Sequence, residues 1–211
     1  PAAYVTALFD AYAEDFDKAL VGRLSYSTPR KLAEAIRAAR RISGRSGRAL
    51  DLGCGTGLAG EAIAADVAWL EGVDLSAGMI GAARARGVYD LLETADILSA
   101  LNRRAETYDL IIAADVLVYF GDLSRAFAAV AARLADGGIF AFSVEKGAGA
   151  DWAVQPSLRF AHSADYVART IGAAGLDLVS MEEAVLRQDG EAEVNGLLVI
   201  GGKPRRAAGG H

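Results

Sequence analysis

The chain has a single cysteine, Cys54, in 211 residues. That excludes an internal disulfide framework and points to a reducing, cytoplasmic setting. Histidine is nearly as scarce, with only His162 and His211. No Cys/His cluster with ligand spacing is present, so no metal site is expected. No apolar run approaches the length of about 20 residues that spans a bilayer, and no signal-peptide pattern opens the chain. Positive charge is not in excess either: the formal net charge is −5. Neither a nucleic-acid nor a membrane partner is therefore expected. The local cluster Arg37, Arg40, Arg41, Arg45 and Arg48 reads as a solvated helix end and loop. The first residue is Pro1 rather than Met, the mark of a chain processed or cut from something longer.

What is present is ample apolar material, 53% of residues, enough for the core of one sizeable α/β domain. Strand patterns at 49–53, 69–73, 91–94, 109–113 and 139–144 alternate with helical patterns at 58–65, 76–86, 98–104 and 122–134. Such alternation predicts a parallel sheet with helices on both faces. A further helix follows Ser163, and then strand patterns at 177–187 and 193–201, joined too closely for a crossover helix. The predicted fold is a doubly wound, mostly parallel seven-stranded sheet with an antiparallel C-terminal hairpin. Residues 1–45 read as helices, with Tyr4, Tyr12, Phe16 and Tyr26 as lid aromatics or as a stripe docked on the sheet. Residues 46–204 read as the sheet domain, 146–156 as an irregular insertion, and 205–211 as a frayed tail.

The segment Ala49 to Gly57 runs from a strand into a glycine-dense turn and then a helix. Glycines there let a ligand approach the backbone closely. Gly55-Thr56-Gly57-Leu58-Ala59-Gly60 matches the dinucleotide pattern G-x-G-x-x-G, and Asp74 lies where a ribose-binding acid belongs. A nicotinamide or flavin dinucleotide is thus one reading. S-adenosyl-L-methionine is the other, and three features favour it. Asp51 sits just before the glycines, where it would repel a pyrophosphate but attract an ammonium and a sulfonium. A third acid, Asp96, is placed to accept from an adenine amino group. The antiparallel finish departs from the two parallel halves of a dinucleotide fold.

Ala49 to Gly57 resembles the first motif of class I S-adenosylmethionine-dependent methyltransferases, and Gly72-Val73-Asp74-Leu75-Ser76 resembles the second. Thr94-Ala95-Asp96-Ile97, Tyr108 to Leu117 and Leu134 to Phe140 resemble three later motifs, in the right order. The flanks around Phe9 to Asp17 and Arg159 to Ser163 look like predicted methyltransferases attached to tetratricopeptide repeats, although the chain contains no such repeats.

The resemblance implies a cofactor site of Asp51, Gly53, Cys54 (through its backbone amide), Gly55, Gly57, Asp74, Leu75, Met79, Asp96, Ile97 and Ala114. Asp74 would take the ribose hydroxyls, and Leu75 and Ile97 would flank the adenine. Each has a plainer role as helix cap, turn or core residue. Asp115, Tyr119 and His162 are the candidate catalytic residues: Asp115 and His162 as orienting groups or bases, Tyr119 as an aromatic face for the sulfonium or substrate. Core packing, a capped loop and a structural histidine are the competing readings. The expected acceptor is a small-molecule oxygen, nitrogen or carbon nucleophile, because the fourth strand ends Ala-Ala-Asp-Val rather than in an Asn/Asp-Pro-Pro-aromatic pattern. The expected assembly is a monomer or homodimer. An oxidoreductase and a cofactor-binding subunit without turnover are the alternatives.

Overall fold

Five strands carry apolar residues on both faces, and in a computed structural model of the chain they form the parallel core of one sheet. Residues 26–40, 47–190 and 192–205 are described. The strands β1 (Arg48–Leu52), β2 (Trp69–Asp74), β3 (Leu91–Thr94), β4 (Tyr108–Ala113) and β5 (Leu134–Lys146) lie in the order β3-β2-β1-β4-β5, all parallel. The chain therefore reverses direction across the sheet between β1 and β4, which opens a crevice at the carboxyl edge. The predicted hairpin is present as β8 (Asp177–Asp189) and β9 (Ala192–Gly202). Strand β9 lies antiparallel to β5, with Ile139 opposite Gly202 and Glu145 opposite Gly196.

Alternation of side chains places Leu50, Leu52, Ile111, Phe140 and Phe142 on one face. There they meet α4 (Ile97–Arg103), α5 (Ser124–Arg133) and α6 (Ala164–Ala173) through Leu101, Phe127 and Val167. The rings of Phe127, Phe140 and Phe142 pack together, with centroids 4.6–5.5 Å apart. Ala49, Leu110, Ile112 and Ala141 face the other way, against Leu32 and Ile36 of α1 (Thr28–Arg40) and Ile63 of α2 (Leu58–Ile63). The sixth helix, α3 (Ala77–Arg86), links β2 to β3 and ends at Gly87 in the left-handed conformation.

Helix α1 is docked on the sheet: Thr28 Oγ1 donates to the Leu186 carbonyl and Lys31 Nζ to that of Val185. Of the expected lid aromatics, Tyr4, Tyr12 and Phe16 lie outside the described residues, as do residues 206–211 of the tail. In the arginine cluster, Arg37 pairs with Asp66 and Arg48 with Glu71. Arg41 and Arg45 are outside the described residues. Among the described residues no helix is long and apolar enough to cross a membrane.

The insertion predicted as irregular is not wholly so. Two short strands, β6 (Trp152–Val154) and β7 (Phe160–His162), widen the sheet to nine. Strand β5 outruns β4, whose pairing stops at Ala113 opposite Phe142. Glu145 pairs with Gly196 on one side and Ala161 on the other, so β7 takes the place of β4 beyond its end. This satisfies backbone groups that would otherwise be left at the edge. His162, predicted in a loop, is thereby part of a strand.

Candidate active site

The turn after β1 holds Gly53, Gly55 and Gly57 at φ of +64°, +53° and +94°. These values suit glycine and strain other residues. A Cβ on Gly53 would lie 2.4 Å from the Val116 side chain, whereas one on Gly55 would meet nothing within 4 Å. Gly55 therefore presents bare backbone to open space, as a ligand cradle requires. The amides of the turn are already used internally. Gly55 N–H donates to Asp74 Oδ2 at 2.9 Å, and Gly57 N–H to the Cys54 carbonyl at 2.9 Å. Cys54 N–H donates to the Val73 carbonyl, which corrects the expectation that this amide faces a ligand. The Cys54 side chain is buried, and burial pushes its thiol up, away from the reactive thiolate.

Asp74 ends β2 and braces the turn. Its Oδ1 accepts from Ser76 N–H at 2.9 Å, so both oxygens hold backbone. Asp51 lies beneath the turn and is fully buried. Its Oδ2 accepts from the Tyr89 hydroxyl at 2.7 Å, while Oδ1 is buried with no partner. Burial pushes the Asp51 carboxyl up to about 7; the Tyr89 hydrogen bond opposes the rise, the Asp74 charge adds to it, and the Gly60 amide opposes it.

No local pattern in the sequence marks Tyr89 as part of this site. A Cβ on Gly60 would sit 2.2 Å from its hydroxyl oxygen, and one on Gly72 would sit 2.8 Å from its ring. Those two glycines make room for the tyrosine. The last glycine of the apparent dinucleotide pattern thus serves Tyr89 and, through it, Asp51.

The remaining cofactor candidates flank this centre. Leu75 is half-buried after β2, and Met79 is buried on α3, its N–H donating to Ser76 Oγ at 3.1 Å. Asp96 caps α4 by accepting from Ser99 N–H at 2.9 Å, and Ile97 behind it joins the first core. Ala114, half-buried, follows β4.

Asp115 comes next, with φ +53°, unusual for a residue with a side chain. A two-way clasp holds it: Asp115 N–H donates to Ser143 Oγ at 2.8 Å, and that hydroxyl donates to Asp115 Oδ1 at 2.7 Å. Asp115 Oδ2 is buried without a partner. Two residues along β5 from Ser143 stands Glu145, also buried. Its Oε1 accepts from Arg187 Nη2 at 2.5 Å and lies 3.6 Å from Arg159 Nη1. The Arg159 guanidinium lies 5.9 Å from the Tyr119 ring centre. Arg187 is 6% exposed, and its Nη1 has no partner. Tyr26 reaches this group from the start of α1. Burial raises its phenol, as do the Asp115 carboxylate, a hydrogen bond to that carboxylate and the Asp51 charge, while Arg187 opposes the rise.

His162 is fully buried on β7. Its Nε2 lies 3.0 Å from the Gly121 carbonyl, so the ring donates there, and Nδ1 is left without a partner. Burial lowers its basicity. The ring holds the segment that follows Tyr119 and offers no nitrogen to solvent. A concavity of about 400 Å³ lies beyond β5 under residues 146–155, away from the glycine turn.

The methyltransferase domain family matches residues 25–180. Solved structures are similar at low identity. An S-adenosylmethionine-dependent methyltransferase from Clostridium acetobutylicum is 16% identical with a TM-score of 0.68, the match covering 93% of this chain and 99% of that one. The N-methyltransferase NodS from Bradyrhizobium japonicum, in complex with S-adenosyl-L-homocysteine, is 23% identical with a TM-score of 0.64, covering 83% and 86%. A magnesium protoporphyrin IX methyltransferase from Synechocystis with bound S-adenosylmethionine is 17% identical with a TM-score of 0.62, covering 82% and 79%. No curated protein matches the chain by sequence. The chain belongs to the methyltransferase domain family and has the fold of its S-adenosylmethionine-dependent enzymes.

Proposed function

We propose that this chain transfers a methyl group from S-adenosyl-L-methionine to an oxygen, nitrogen or carbon atom of a small molecule. The observation that carries the reading is Asp51, a buried carboxylate with one unpartnered oxygen beneath an open glycine turn. A pyrophosphate would be repelled by it, and a cationic ligand attracted. Asp51 and Gly53 to Gly57 would hold the methionyl end. Asp74 would accept from the ribose hydroxyls, each charge-assisted bond contributing about 1.5–3 kcal/mol. Leu75, Met79 and Ile97 would enclose the adenine, with Asp96 at its amino group.

When bound, the cofactor supplies a methyl on a positively charged sulfur: the methyl passes to the acceptor, the C–S electron pair stays with sulfur, and the acceptor's proton is left for the protein. With β1 and β2 given to the cofactor, the acceptor falls to the β4–β5 side. Asp115 would take that proton: Ser143 fixes its Oδ1, its Oδ2 has no other hydrogen-bond partner assigned among the described residues, and the Tyr26 hydroxyl stands beside the carboxylate. Tyr119 offers an aromatic face nearby. His162 supports this segment through Gly121 and acts as a positioning residue.

Calorimetry with S-adenosylhomocysteine and NADH tests the reading. S-adenosylhomocysteine should bind, and Asp74→Ala should weaken it by about 10- to 100-fold, the loss of one charge-assisted bond. Tight NADH binding, or unchanged affinity in Asp74→Ala, would overturn the assignment.

A further inference from the structure

Among the described residues, two buried polar atoms of opposite character lie without partners on the β4–β5 side: Asp115 Oδ2, an acceptor, and Arg187 Nη1, a donor. Their placement is linked. Asp115 is clasped to Ser143 and Arg187 is paired to Glu145, two residues further along the same face of β5, roughly 7 Å away. Tyr26 lies close enough to feel both side chains. Buried polar groups are normally satisfied, and a charged N–H left alone is especially costly. A purely structural Arg187–Glu145 pair has no need of such an arm.

We infer that the methyl acceptor is a small molecule bearing a carboxylate, which Arg187 Nη1 binds while the nucleophilic atom faces Asp115 Oδ2. The inference rests on the methyltransferase reading above. A single negative charge suits the site. Glu145 is shared by Arg159 and Arg187, so this trio carries one net positive charge, which one monoanion would balance. A dianionic phosphate ester would meet two fixed carboxylates. Position separates this group from the cofactor's own carboxylate. Arg187 engages β5, two strands from β1 and Asp51, or about 10 Å across the sheet.

The probes are benzoate against benzamide and hexanoate against hexanamide, titrated calorimetrically into the whole chain saturated with S-adenosylhomocysteine. Each carboxylate should bind at least tenfold more tightly than its amide. Arg187→Lys keeps a cation beside Glu145 but removes the forked second arm, and it should abolish that preference while leaving S-adenosylhomocysteine affinity within twofold. If Arg187→Lys does not fold, Glu145→Gln with Arg187→Gln, which removes both charges together, is read the same way. Equal affinity of carboxylates and amides in the parent chain, or a preference that survives the substitution, overturns the inference. So does a loss of S-adenosylhomocysteine affinity in the variant, which would give Arg187 to the cofactor. Failure of the parent chain to bind S-adenosylhomocysteine at all would instead sink the methyltransferase reading, and this inference with it.

Discussion

At the β1–β2 end of the carboxyl edge, Asp74 already grips two backbone amides and the glycine turn is tied to its neighbours. At the β4–β5 end, the polar groups come from segments far apart in sequence, and two of them keep an atom without a hydrogen-bond partner among the described residues. The first half, the proposed cofactor seat, is built from backbone and local glycines. The second is built from long-range side-chain pairs, and it is where acceptor identity is proposed to be set.

The sharpest way to break this comparison is Asp115→Asn. If the β4–β5 half performs the proton chemistry, turnover should fall by about 10²- to 10⁴-fold with S-adenosylhomocysteine affinity retained. Product formation and calorimetry on one preparation separate the two. A fall in cofactor affinity equal to the fall in rate would erase the distinction between the halves.

The next effect is one of pH. Asp51 must be ionised to hold a cation, and its carboxyl is pushed up to about 7. Affinity for S-adenosylhomocysteine should therefore drop by up to about tenfold per pH unit below 7, and Asp51→Asn should flatten the profile. Stability should run the other way. A carboxyl raised in the folded state binds its proton more tightly there than in the unfolded chain. Its contribution is greatest at low pH and is lost as pH rises from about 4 to 7, by at most about 1.4 kcal/mol per unit. Denaturant titrations of the parent and Asp51→Asn across that window would show whether the slope belongs to this residue.

The smallest expected effect belongs to Tyr89→Phe. Removing the hydroxyl takes away the Asp51 carboxylate's side-chain partner and should cost about 1–3 kcal/mol of stability. It should also move the midpoint of the cofactor pH profile to higher pH, because the lost hydrogen bond was opposing the rise. An unmoved midpoint would mean that the Tyr89 hydrogen bond does not tune Asp51.

Much of the first half was legible in the sequence because its signals are local. Strand, glycine turn, helix and terminal acid follow one another within some 25 residues, and alternating apolar runs announce the parallel strands. Tyr89 was not legible, since its partners Asp51, Gly60 and Gly72 meet it only after β1, β2 and α2 are assembled. Nor was the Glu145–Arg187 pair, whose residues stand 42 apart and whose types are ordinary surface choices. The strands β6 and β7 escaped notice because three residues carry too little periodicity. The Cys54 amide was misjudged because a hydrogen bond to Val73 depends on β2 lying alongside.

Asp115 stands in a backbone conformation that glycine would occupy without strain and asparagine with little. A search for more stable variants would thus be drawn to the residue on which turnover is proposed to depend. Folding and chemistry rank the candidates for this position in opposite orders. A library scored once for thermal resistance and once for methyl transfer should disagree most sharply here.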